Sequence, residues 1–551
     1  MNQTITPPPA RSHSAFRIPH SAFFLILLVA GLLRFVGLDR CPPGLFRDEA
    51  EKGYNAWALA TTGGALDFSG GLGPGPAIRW RPWPWMIDVM GGKTSAIYQY
   101  AAIPFVRAGG LGVATTRMAA AAVGTLTVAL LGWLLWRAWG AWPGLAAAAW
   151  LALCPWHLVF SRWALEGIFV PCFLVLALAG LWGIERGRRW GEPLAGAGLG
   201  WLFYSYSGAQ PFVIAWGICL LLLYGRKIHW KAWPCWLGLA LFLLPVIPTV
   251  LVRLEPGGSS RLARIAIWSE PGGTPARVAW RFIRNYFAHL DPRFLFFSGD
   301  ALPRHGVPHM GQLLLIDMLL LPVGLWRTLR GRWPLAGALV AAFLCGPIPA
   351  ALTHEGIPHA LRSFAMVVPA AAWSGLGLVA LAEALLQWTA RRGVPSARRS
   401  IFVGLFVAAA LLVGFNAFKI YWQNGRTNPL MLVAFEAGER QTWETIAHQR
   451  RPSQRVFING NILFIPYYQL FFLHPAPRRA ALEGLDPQSF IYFSPEQNPP
   501  DQVAESMRPG DWMIGAVSPA SLTLLPDDHP LLTPEEARRV HEVWVVVNQK
   551  P

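Results

Sequence analysis

The chain contains a series of long apolar stretches that a water-soluble fold could not bury. A helix that crosses a bilayer needs about 20 mostly apolar residues, and about eleven stretches approach that length. They lie near 21–38, 115–136, 143–160, 166–184, 193–209, 211–225, 233–252, 312–326, 335–352, 364–388 and 401–419. Only 14% of the 551 residues are charged, whereas soluble globules average about 25%. The sequence therefore predicts an all-α polytopic membrane domain.

The connections between these stretches differ in charge. Alternate short connections are almost purely basic: Arg137; Arg186, Arg188 and Arg189; Arg226, Lys227 and Lys231; Arg327, Arg330 and Arg332; Arg391, Arg392, Arg398 and Arg399. Basic connections stay in the cytoplasm, so we expect them there together with the N-terminus. The long loops 39–94 and 253–311 and the tail then face the outside of the cytoplasmic membrane.

The positive charge has a membrane explanation. The formal net charge is +17, but the basic residues fall in short clusters between apolar stretches rather than along one polar face. We therefore expect membrane lipids, and no nucleic acid, as partners.

Three parts of the chain are predicted. Residues 1–20 are expected to form a disordered cytoplasmic leader, and residues 21–419 the membrane domain. Residues 420–551 are expected to form a small extracytoplasmic α/β domain. Its predicted strands are short apolar segments at 455–459, 490–493, 512–515 and 543–547, and a helix is predicted near 435–449.

Two adjacent carboxylates, Asp48 and Glu49, open a predicted amphipathic helix in the first outer loop. A structural explanation exists, because carboxylates at a helix N-terminus complement the dipole and cap free N–H groups. Lys93, Arg304 and Arg362 lie at the same predicted membrane level, although each cation alone could be a snorkelling side chain. A carboxylate among cations at the outer membrane face suits chemistry on a lipid-linked phosphate.

Several motifs in this order along residues 21–425 support that chemistry. They resemble those of GT-C glycosyltransferases of the protein O-mannosyltransferase and aminoarabinose-transferase type. The motifs are Arg47-Asp48-Glu49-Ala50 with Gly53-Tyr54-Asn55-Ala56, Lys93 with Tyr98 and Pro104, Pro155-Trp156-His157 with Ser161-Arg162, Phe203-Tyr204-Ser205-Tyr206-Ser207, Pro303-Arg304-His305, and Pro358-His359-Ala360-Leu361-Arg362.

The resemblance implies transfer of a hexosyl or pentosyl group from a polyprenyl-phosphate-linked donor to a protein, lipid or glycan acceptor, with inversion at the anomeric carbon. It implies Asp48 as the general base and Glu49 as a neighbour that orients the acceptor or a metal. The resemblance leaves the cofactor open between none and a divalent metal. The expected donor-phosphate ligands are Lys93, Arg304, His305 and Arg362. Candidate substrate contacts are Arg47, Tyr54, Tyr98, Arg162, Tyr204, Tyr206 and His359.

Two other functions are consistent with an apolar chain of this kind. A transporter or flippase of a lipid-linked or cell-envelope substrate would place ionisable residues and broken helices at the membrane midplane, usually within inverted repeats. A binding scaffold would use the outer tail for protein contacts, and Asp48 would then be dispensable. The polar groups of this sequence concentrate at the outer face, which favours the transferase.

Overall fold

The computed structural model describes residues 20–69, 77–90, 92–255, 260–270, 273–331, 333–459, 464–486, 488–494, 497–498, 502–503, 506–508, 511–515 and 544–547. Nearly all of the predicted leader, at 1–19, lies outside the described residues.

The structure is mainly helical. The helices are α1 (His20–Phe35), α2 (Arg47–Thr62), α3 (Ile97–Gly109), α4 (Val113–Trp139), α5 (Ala141–Leu153), α6 (Pro155–Phe160), α7 (Phe169–Glu185), α8 (Gly191–Ser205), α9 (Gln210–Tyr224), α10 (Trp233–Leu254), α11 (Ser260–Ile265), α12 (Pro275–Ala288), α13 (Asp317–Arg330), α14 (Ala336–Cys345), α15 (Ile348–Ala351), α16 (Val367–Arg391), α17 (Ser396–Thr427), α18 (Pro429–Ala434), α19 (Ala437–Gln449), α20 (Ile465–Leu473) and α21 (Pro477–Glu483).

Two hairpins and one sheet complete the described structure. The strands are β1 (Gly64–Ser69), β2 (Ala77–Pro82), β3 (Met86–Val89), β4 (Gly92–Ser95), β5 (Val456–Asn459), β6 (Phe490–Phe493), β7 (Trp512–Gly515) and β8 (Trp544–Val547). Short 3-10 helices lie at Glu166–Ile168, Ser207–Ala209, Pro303–His305 and Phe364–Met366, and a π-helical turn lies at Arg293–Phe297.

The predicted apolar stretches are helices. Within the described residues, six helices are long and apolar enough to cross a membrane: Val113–Trp139, Glu166–Glu185, Ser207–Tyr224, Trp233–Leu254, Phe364–Arg391 and Ser396–Thr427. Three shorter apolar helices lie at His20–Phe35, Ala141–Leu153 and Ala336–Ala351. Each of the predicted stretches coincides with one helix or with two successive helices, which confirms the helical fold class. The number of crossings stays a prediction.

Small residues let the helices pack closely. A Cβ added at Gly198 of α8 would lie 2.5 Å from the backbone nitrogen of Ala177 in α7. A Cβ at Gly180 of α7 would lie 2.2 Å from the nitrogen of Ala195 in α8. Close backbone contact between small residues is typical of helix pairs in membranes, where no hydrophobic effect drives association.

The connection from α1 to α4, predicted to be the first outer loop, forms a layer over one end of the helix bundle. It consists of α2, the antiparallel hairpins β1–β2 and β3–β4, and the start of α3. Helix α2 therefore follows directly after the first apolar helix, as predicted.

The tail contains the predicted α/β domain. Its sheet has the order β6-β5-β7-β8, in which β5 is parallel to both β6 and β7, and β8 is antiparallel to β7. All four predicted strands and the predicted helix, here α19, are present. Helix α17 runs past residue 419 to Thr427 before the chain enters this domain.

The α/β domain packs on the first outer loop. One apolar cluster joins Ala50, Tyr54 and Ala58 of α2 to Tyr467 and Phe471 of α20. Helix α2 is therefore enclosed between the membrane helices and the tail, and this enclosure sets the environment of its polar residues.

Candidate active site

The adjacent carboxylates Asp48 and Glu49 lie in different surroundings, although both belong to the first turn of α2. Glu49 is fully buried. One of its oxygens accepts a hydrogen bond from the backbone nitrogen of Phe46 at 3.0 Å, as in a capping box. The other accepts from the backbone nitrogen of Ala164 at 2.9 Å. Glu49, rather than Asp48, is thus the carboxylate that caps α2.

Glu49 also forms a buried ion pair. Arg117 of α4 donates from Nε and Nη2 to its two carboxylate oxygens at 2.8 and 2.7 Å. The same guanidinium donates to the carbonyl oxygens of Leu38, Pro42 and Gly44 at 2.7–2.8 Å. This pair therefore fixes the path of the chain from α1 to α2.

Asp48 is partly buried, and its carboxylate makes no hydrogen bond or ion pair with any described residue. Its negative charge acts on three nearby cations, Arg47, Lys52 and Arg304. Asp48 is therefore a carboxylate in a cationic environment whose oxygens are not used by the described fold.

Lys52, one helical turn after Asp48, is a buried cation. Its Nζ lies 3.1 Å from Glu166 and 3.7 Å from Glu51. Burial opposes the charge on Lys52, but Glu166, Glu51 and Asp48 outweigh it and raise the pKa of Lys52. The ammonium group is therefore held charged near Asp48.

Arg304 is the predicted phosphate ligand with the most available charge. Its guanidinium lies 4.9 Å from the ring centre of Phe46, and it makes no hydrogen bond or ion pair to the residues that the structure describes. Burial lowers the pKa of Arg304, whereas Asp48 and Glu436 act in the opposite direction. Arg304 is thus a desolvated cation beside Asp48, with its donors unused in the described structure.

The tail contributes a carboxylate to this neighbourhood. Glu436 accepts hydrogen bonds from the backbone and guanidinium of Arg47, and from the hydroxyl of Tyr468. The Arg47 guanidinium also lies 4.4 Å from the ring centre of Phe464. Arg47 is therefore held by the α/β domain and borders the site from that side.

The predicted ligands His305 and His359 lie together. Their ring centres are 4.7 Å apart, and His305 Nδ1 lies 2.8 Å from Oδ2 of Asp300. Burial lowers the pKa of both imidazoles. Arg304 and Arg362 are among the charges that act on both rings, so this pair belongs to the same region as the predicted phosphate cations.

The cation Arg362 is bound within its own loop. Its Nη1 donates to Thr353 Oγ1 at 2.6 Å and to the Glu355 carbonyl at 3.2 Å, and its Nη2 lies 3.5 Å from the Glu355 carboxylate. Within the described part of the chain, one ion pair of 3.5 Å offsets its charge, so Arg362 retains positive potential toward the two histidines.

Lys93 lies on β4, away from these contacts. Its Nζ is 3.2 Å from Asp88 and 2.6 Å from Glu255. Both carboxylates raise the pKa of Lys93 against the effect of burial, and its positive charge is offset by two partners. No described contact joins Lys93 to Asp48 or Arg304.

Three of the predicted tyrosine contacts support the backbone. The Tyr54 hydroxyl donates to the Pro475 carbonyl at 2.6 Å, Tyr98 to Thr116 at 2.8 Å and Tyr204 to Trp85 at 2.7 Å. All three side chains are buried. These hydroxyls hold the outer loops and the tail in place, while Tyr206 is partly buried beside the 3-10 helix at Ser207–Ala209.

Arg162 closes the end of α1. It is fully buried and donates to the carbonyl oxygens of Leu33, Arg34, Val36, Gly37 and Cys41 at 2.7–3.2 Å. These carbonyls include those that a helix C-terminus leaves without intrahelical partners. The geometry therefore favours a structural role for Arg162.

The sequence prediction omitted several residues that shape this site. Arg117 follows Thr116 in the motif order but had no assigned role, and Lys52 and Glu166 had none either. The reason is that Arg117 pairs with Glu49, and Lys52 with Glu166, across long separations in sequence. Asp300 could have been found, since it precedes Arg304 and His305 in the same outer loop. Glu436 carries no local signal, because its partner Arg47 lies 389 residues away.

Comparison with known proteins supports the fold through structure alone. No protein-family model matches the chain, and no curated protein matches its sequence. The fold is similar to that of ArnT from Cupriavidus metallidurans bound to undecaprenyl phosphate, with a TM-score of 0.55 at 14% identity over 97% of this chain and 100% of ArnT. The apo state of ArnT from the same organism gives a TM-score of 0.55 at 15% identity, over 97% of this chain and 99% of ArnT.

A second solved structure shares this architecture. The archaeal oligosaccharyltransferase AglB from Archaeoglobus fulgidus, in complex with an inhibitory peptide and a dolichol-phosphate, matches with a TM-score of 0.50 at 14% identity. The match covers 83% of this chain and 64% of AglB. Both neighbours are GT-C glycosyltransferases. The chain is therefore a multi-pass membrane protein with a GT-C-like fold.

Proposed function

We propose that the protein transfers a sugar from a polyprenyl-phosphate-linked donor to an acceptor at the outer face of the cytoplasmic membrane. The observation that carries the proposal is the proximity of a carboxylate, Asp48, to a desolvated cation, Arg304, neither of which has a hydrogen-bond or ion-pair partner among the described residues. The two groups are suited to the two opposite tasks of the reaction, which are removal of a proton and stabilisation of a leaving phosphate. The GT-C-like fold supports the same reaction class.

Asp48 acts on the acceptor. A hydroxyl group is a weak nucleophile until its proton moves, and a positioned carboxylate contributes about 10²–10⁴-fold to such a step. The acceptor oxygen forms a bond to the anomeric carbon while the bond from that carbon to the phosphate oxygen breaks. The proton passes to Asp48, and the bonding electron pair leaves with the polyprenyl phosphate. Attack opposite the leaving group inverts the anomeric configuration.

Arg304 acts on the donor, with Arg362 as a second source of positive potential. The donor phosphodiester carries one negative charge, and the departing polyprenyl phosphate gains a second. Cations in a desolvated site therefore stabilise the transition state more than the ground state, which is the condition for catalysis. Lys93 is already offset by two carboxylates, so we give the larger share of this task to Arg304.

A transporter is less consistent with the positions of the charges. Ionisable residues of transport pathways lie near the membrane midplane. Among the charged residues inside the predicted spans, Arg34 lies in the last turn of α1 and Asp317 in the first turn of α13. Glu383 and Lys419 each lie eight residues before the last residue of α16 and α17. Apart from the basic connections assigned to the cytoplasm, the charged groups concentrate in the predicted outer loops and the tail.

The function is tested by comparing lipid-linked sugars in cells that contain or lack the chain. We expect cells without it to accumulate one polyprenyl-phosphate sugar and to lose one glycan. Unchanged polyprenyl-phosphate sugars and glycans would overturn the proposed reaction. Uptake by vesicles that contain the purified chain, without release of polyprenyl phosphate, would favour the transporter.

Replacement of Arg304 should reduce transfer in membranes that contain the native donor. We expect Arg304→Ala to lower turnover by about 10²-fold, since loss of one stabilising donor costs about that much in comparable sites. Arg304→Lys should recover only part of the rate, because an ammonium group lacks the guanidinium fork. The measurement is the rate of polyprenyl-phosphate release at equal amounts of inserted protein.

Arg392 offers a matched control for Arg304. It too is an arginine stacked on an aromatic ring, 5.3 Å from the centre of Trp388, but at the other end of the bundle. Arg392→Ala should leave turnover within about twofold of the wild type. Equal rates for Arg304→Ala and Arg392→Ala would remove Arg304 from the site.

The orientation of the chain also follows from the proposal, since donor and acceptor must meet outside. Single-cysteine variants at Arg188 and Arg330 should react with membrane-impermeant reagents only after the cells are opened. A cysteine at Gln502 in the tail should react in intact cells whose outer barriers are removed. Labelling of the Arg330 position from outside would contradict the proposed orientation.

A further inference from the structure

Two outer loops bring together a set of side chains with the chemistry of a metal site. Asp300 and His305 come from the loop before α13, and His359 comes from the loop between α15 and α16. Each residue offers one potential ligand atom, and these atoms all lie within 4.8 Å of one another. All three side chains are buried.

Hydrogen bonds from the surrounding backbone position the carboxylate. Asp300 Oδ1 accepts from the nitrogen of Leu302 at 2.8 Å, and Oδ2 accepts from the nitrogen of Ala360 at 2.7 Å. Oδ2 is also the atom that meets His305 Nδ1. The Ala360 contact joins the two loops, so the carboxylate is held by both of the loops that supply the histidines.

A third histidine supports this set from outside. His289 Nδ1 lies 2.7 Å from the Asn285 carbonyl, and its Nε2 accepts from the backbone nitrogen of His359 at 2.9 Å. Both ring nitrogens of His289 are therefore occupied, which excludes it as a ligand. It fixes the backbone that carries His359, as outer hydrogen bonds commonly do around metal ligands.

We infer that Asp300, His305 and His359 bind a divalent transition metal ion of the Zn²⁺ kind. Two imidazoles and one carboxylate are ligands that such ions accept, and three protein ligands leave a coordination position for water or substrate oxygen. The types of the three ligand atoms, their closeness and the burial of the side chains support this assignment. If His305 Nδ1 became a ligand, it would bind the ion in its unprotonated form, so metal binding would be favoured by rising pH.

The charges beside the three residues nearly balance before an ion binds. They are the carboxylate of Asp300 itself and the guanidinium groups of Arg304 and Arg362, which act on both histidines. The carboxylate of Glu355 lies 3.5 Å from Arg362, so two carboxylates face two guanidinium groups. A divalent ion would make this set positive, so its affinity should increase when an anion is also present.

The position of the metal site indicates which anion would bind beside the metal. This step rests on the proposed function. His305 follows Arg304 in sequence. The ring centre of His305 lies 5.8 Å from that of Trp163, and the ring centre of Trp163 lies 5.7 Å from that of Phe46. Phe46 is the ring that the guanidinium of Arg304 contacts. The metal would therefore lie in the same region as Arg304. A phosphate monoester of a polyprenol is the anionic class that fits both groups.

Metal binding is tested on the purified full-length protein in lipid nanodiscs, without donor or acceptor. After removal of metal by a chelator, Co²⁺ is added and its ligand-field absorption is followed, with Zn²⁺ as competitor. We expect one Co²⁺ per chain, displaced by Zn²⁺. Elemental analysis that finds no bound metal, together with no Co²⁺ spectrum, would overturn the site.

Variants assign the binding to these residues. Asp300→Asn and His359→Gln should each weaken Co²⁺ binding by about 100-fold or more, since even outer-shell changes cost about 10–100-fold. His354→Gln is the matched control, because His354 lies in the same loop as His359 but is 30% exposed. Equal losses for His354→Gln and His359→Gln would place the metal elsewhere. If a ligand variant does not fold, the wild-type protein tests the site instead. It should bind one Co²⁺ per chain and give the absorption spectrum of Co²⁺ with nitrogen and oxygen ligands.

The link to the donor is tested separately. A short-chain polyprenyl phosphate should tighten Co²⁺ binding, and Co²⁺ should tighten polyprenyl-phosphate binding by the same factor. Inorganic phosphate should have a smaller effect if the lipid chain also binds. Unchanged Co²⁺ affinity would overturn the placement at the donor phosphate. Because the metal is measured without turnover, failure of the transfer reaction would leave the metal result unaffected.

Discussion

Asp48→Asn should lower the rate of sugar transfer by about 10²-fold or more while the protein still inserts and still binds a polyprenyl phosphate. The amide keeps the size and polarity of the carboxylate but cannot accept the acceptor proton. The measurement is polyprenyl-phosphate release per inserted chain, combined with lipid binding to the purified variant. Because Asp48 makes no hydrogen bond to any described residue, the substitution removes no described structural contact.

Asp39→Asn is the control for this substitution. Asp39 lies in the connection before α2, but its side chain is 52% exposed, and among the described residues it pairs with Arg40 alone. We expect its transfer rate to stay within about twofold of the wild type. Near-wild-type transfer by Asp48→Asn would contradict the assignment of Asp48 as the base and would favour a scaffold.

The neighbouring carboxylate should behave differently. Glu49→Ala should reduce the free energy of unfolding by about 3–5 kcal/mol, because it leaves the buried guanidinium of Arg117 without its counter-charge. The expected results are a lower yield of folded protein and earlier loss of protease resistance on heating. Any loss of transfer should then follow the loss of folded protein rather than a change in chemistry.

An exposed ion pair provides the comparison for Glu49. Glu444 lies 2.8 Å from Arg440 in α19, and its side chain is 40% exposed. Glu444→Ala should change stability by less than about 1 kcal/mol. A stable Glu49→Ala protein with strongly reduced transfer would instead indicate that Glu49 takes part in the reaction.

The contrast between Asp48 and Glu49 shows where sequence reasoning ended. The sequence indicated a helix that starts with two carboxylates. The position of Glu49 explains why it, rather than Asp48, caps the helix, because Glu49 is three residues after the N-cap Phe46 and can complete a capping box. The identity of its ion-pair partner could not be predicted. Arg117 lies 68 residues away, on α4, the second helix after the hairpins.

The same distinction applies to the fold. The apolar stretches and the four short strands were predictable because each depends on local composition and periodicity. The contact of the tail with α2 was not, because it depends on Tyr54 reaching Pro475, which is 421 residues later. Likewise, His305 and His359 were each candidates, but only the folded loops show that they share Asp300 as a neighbour.

Because the tail encloses α2, the candidate site is assembled in two stages during synthesis of the chain. Arg47 emerges early in synthesis, whereas its partner Glu436 is made 389 residues later. At about 5–20 residues per second, that separation corresponds to a delay of roughly 20–80 s. During this interval the helix that carries Asp48 lacks one of its two supporting faces. The candidate site is therefore completed only when the tail has been made and docked, long after its first residues leave the ribosome.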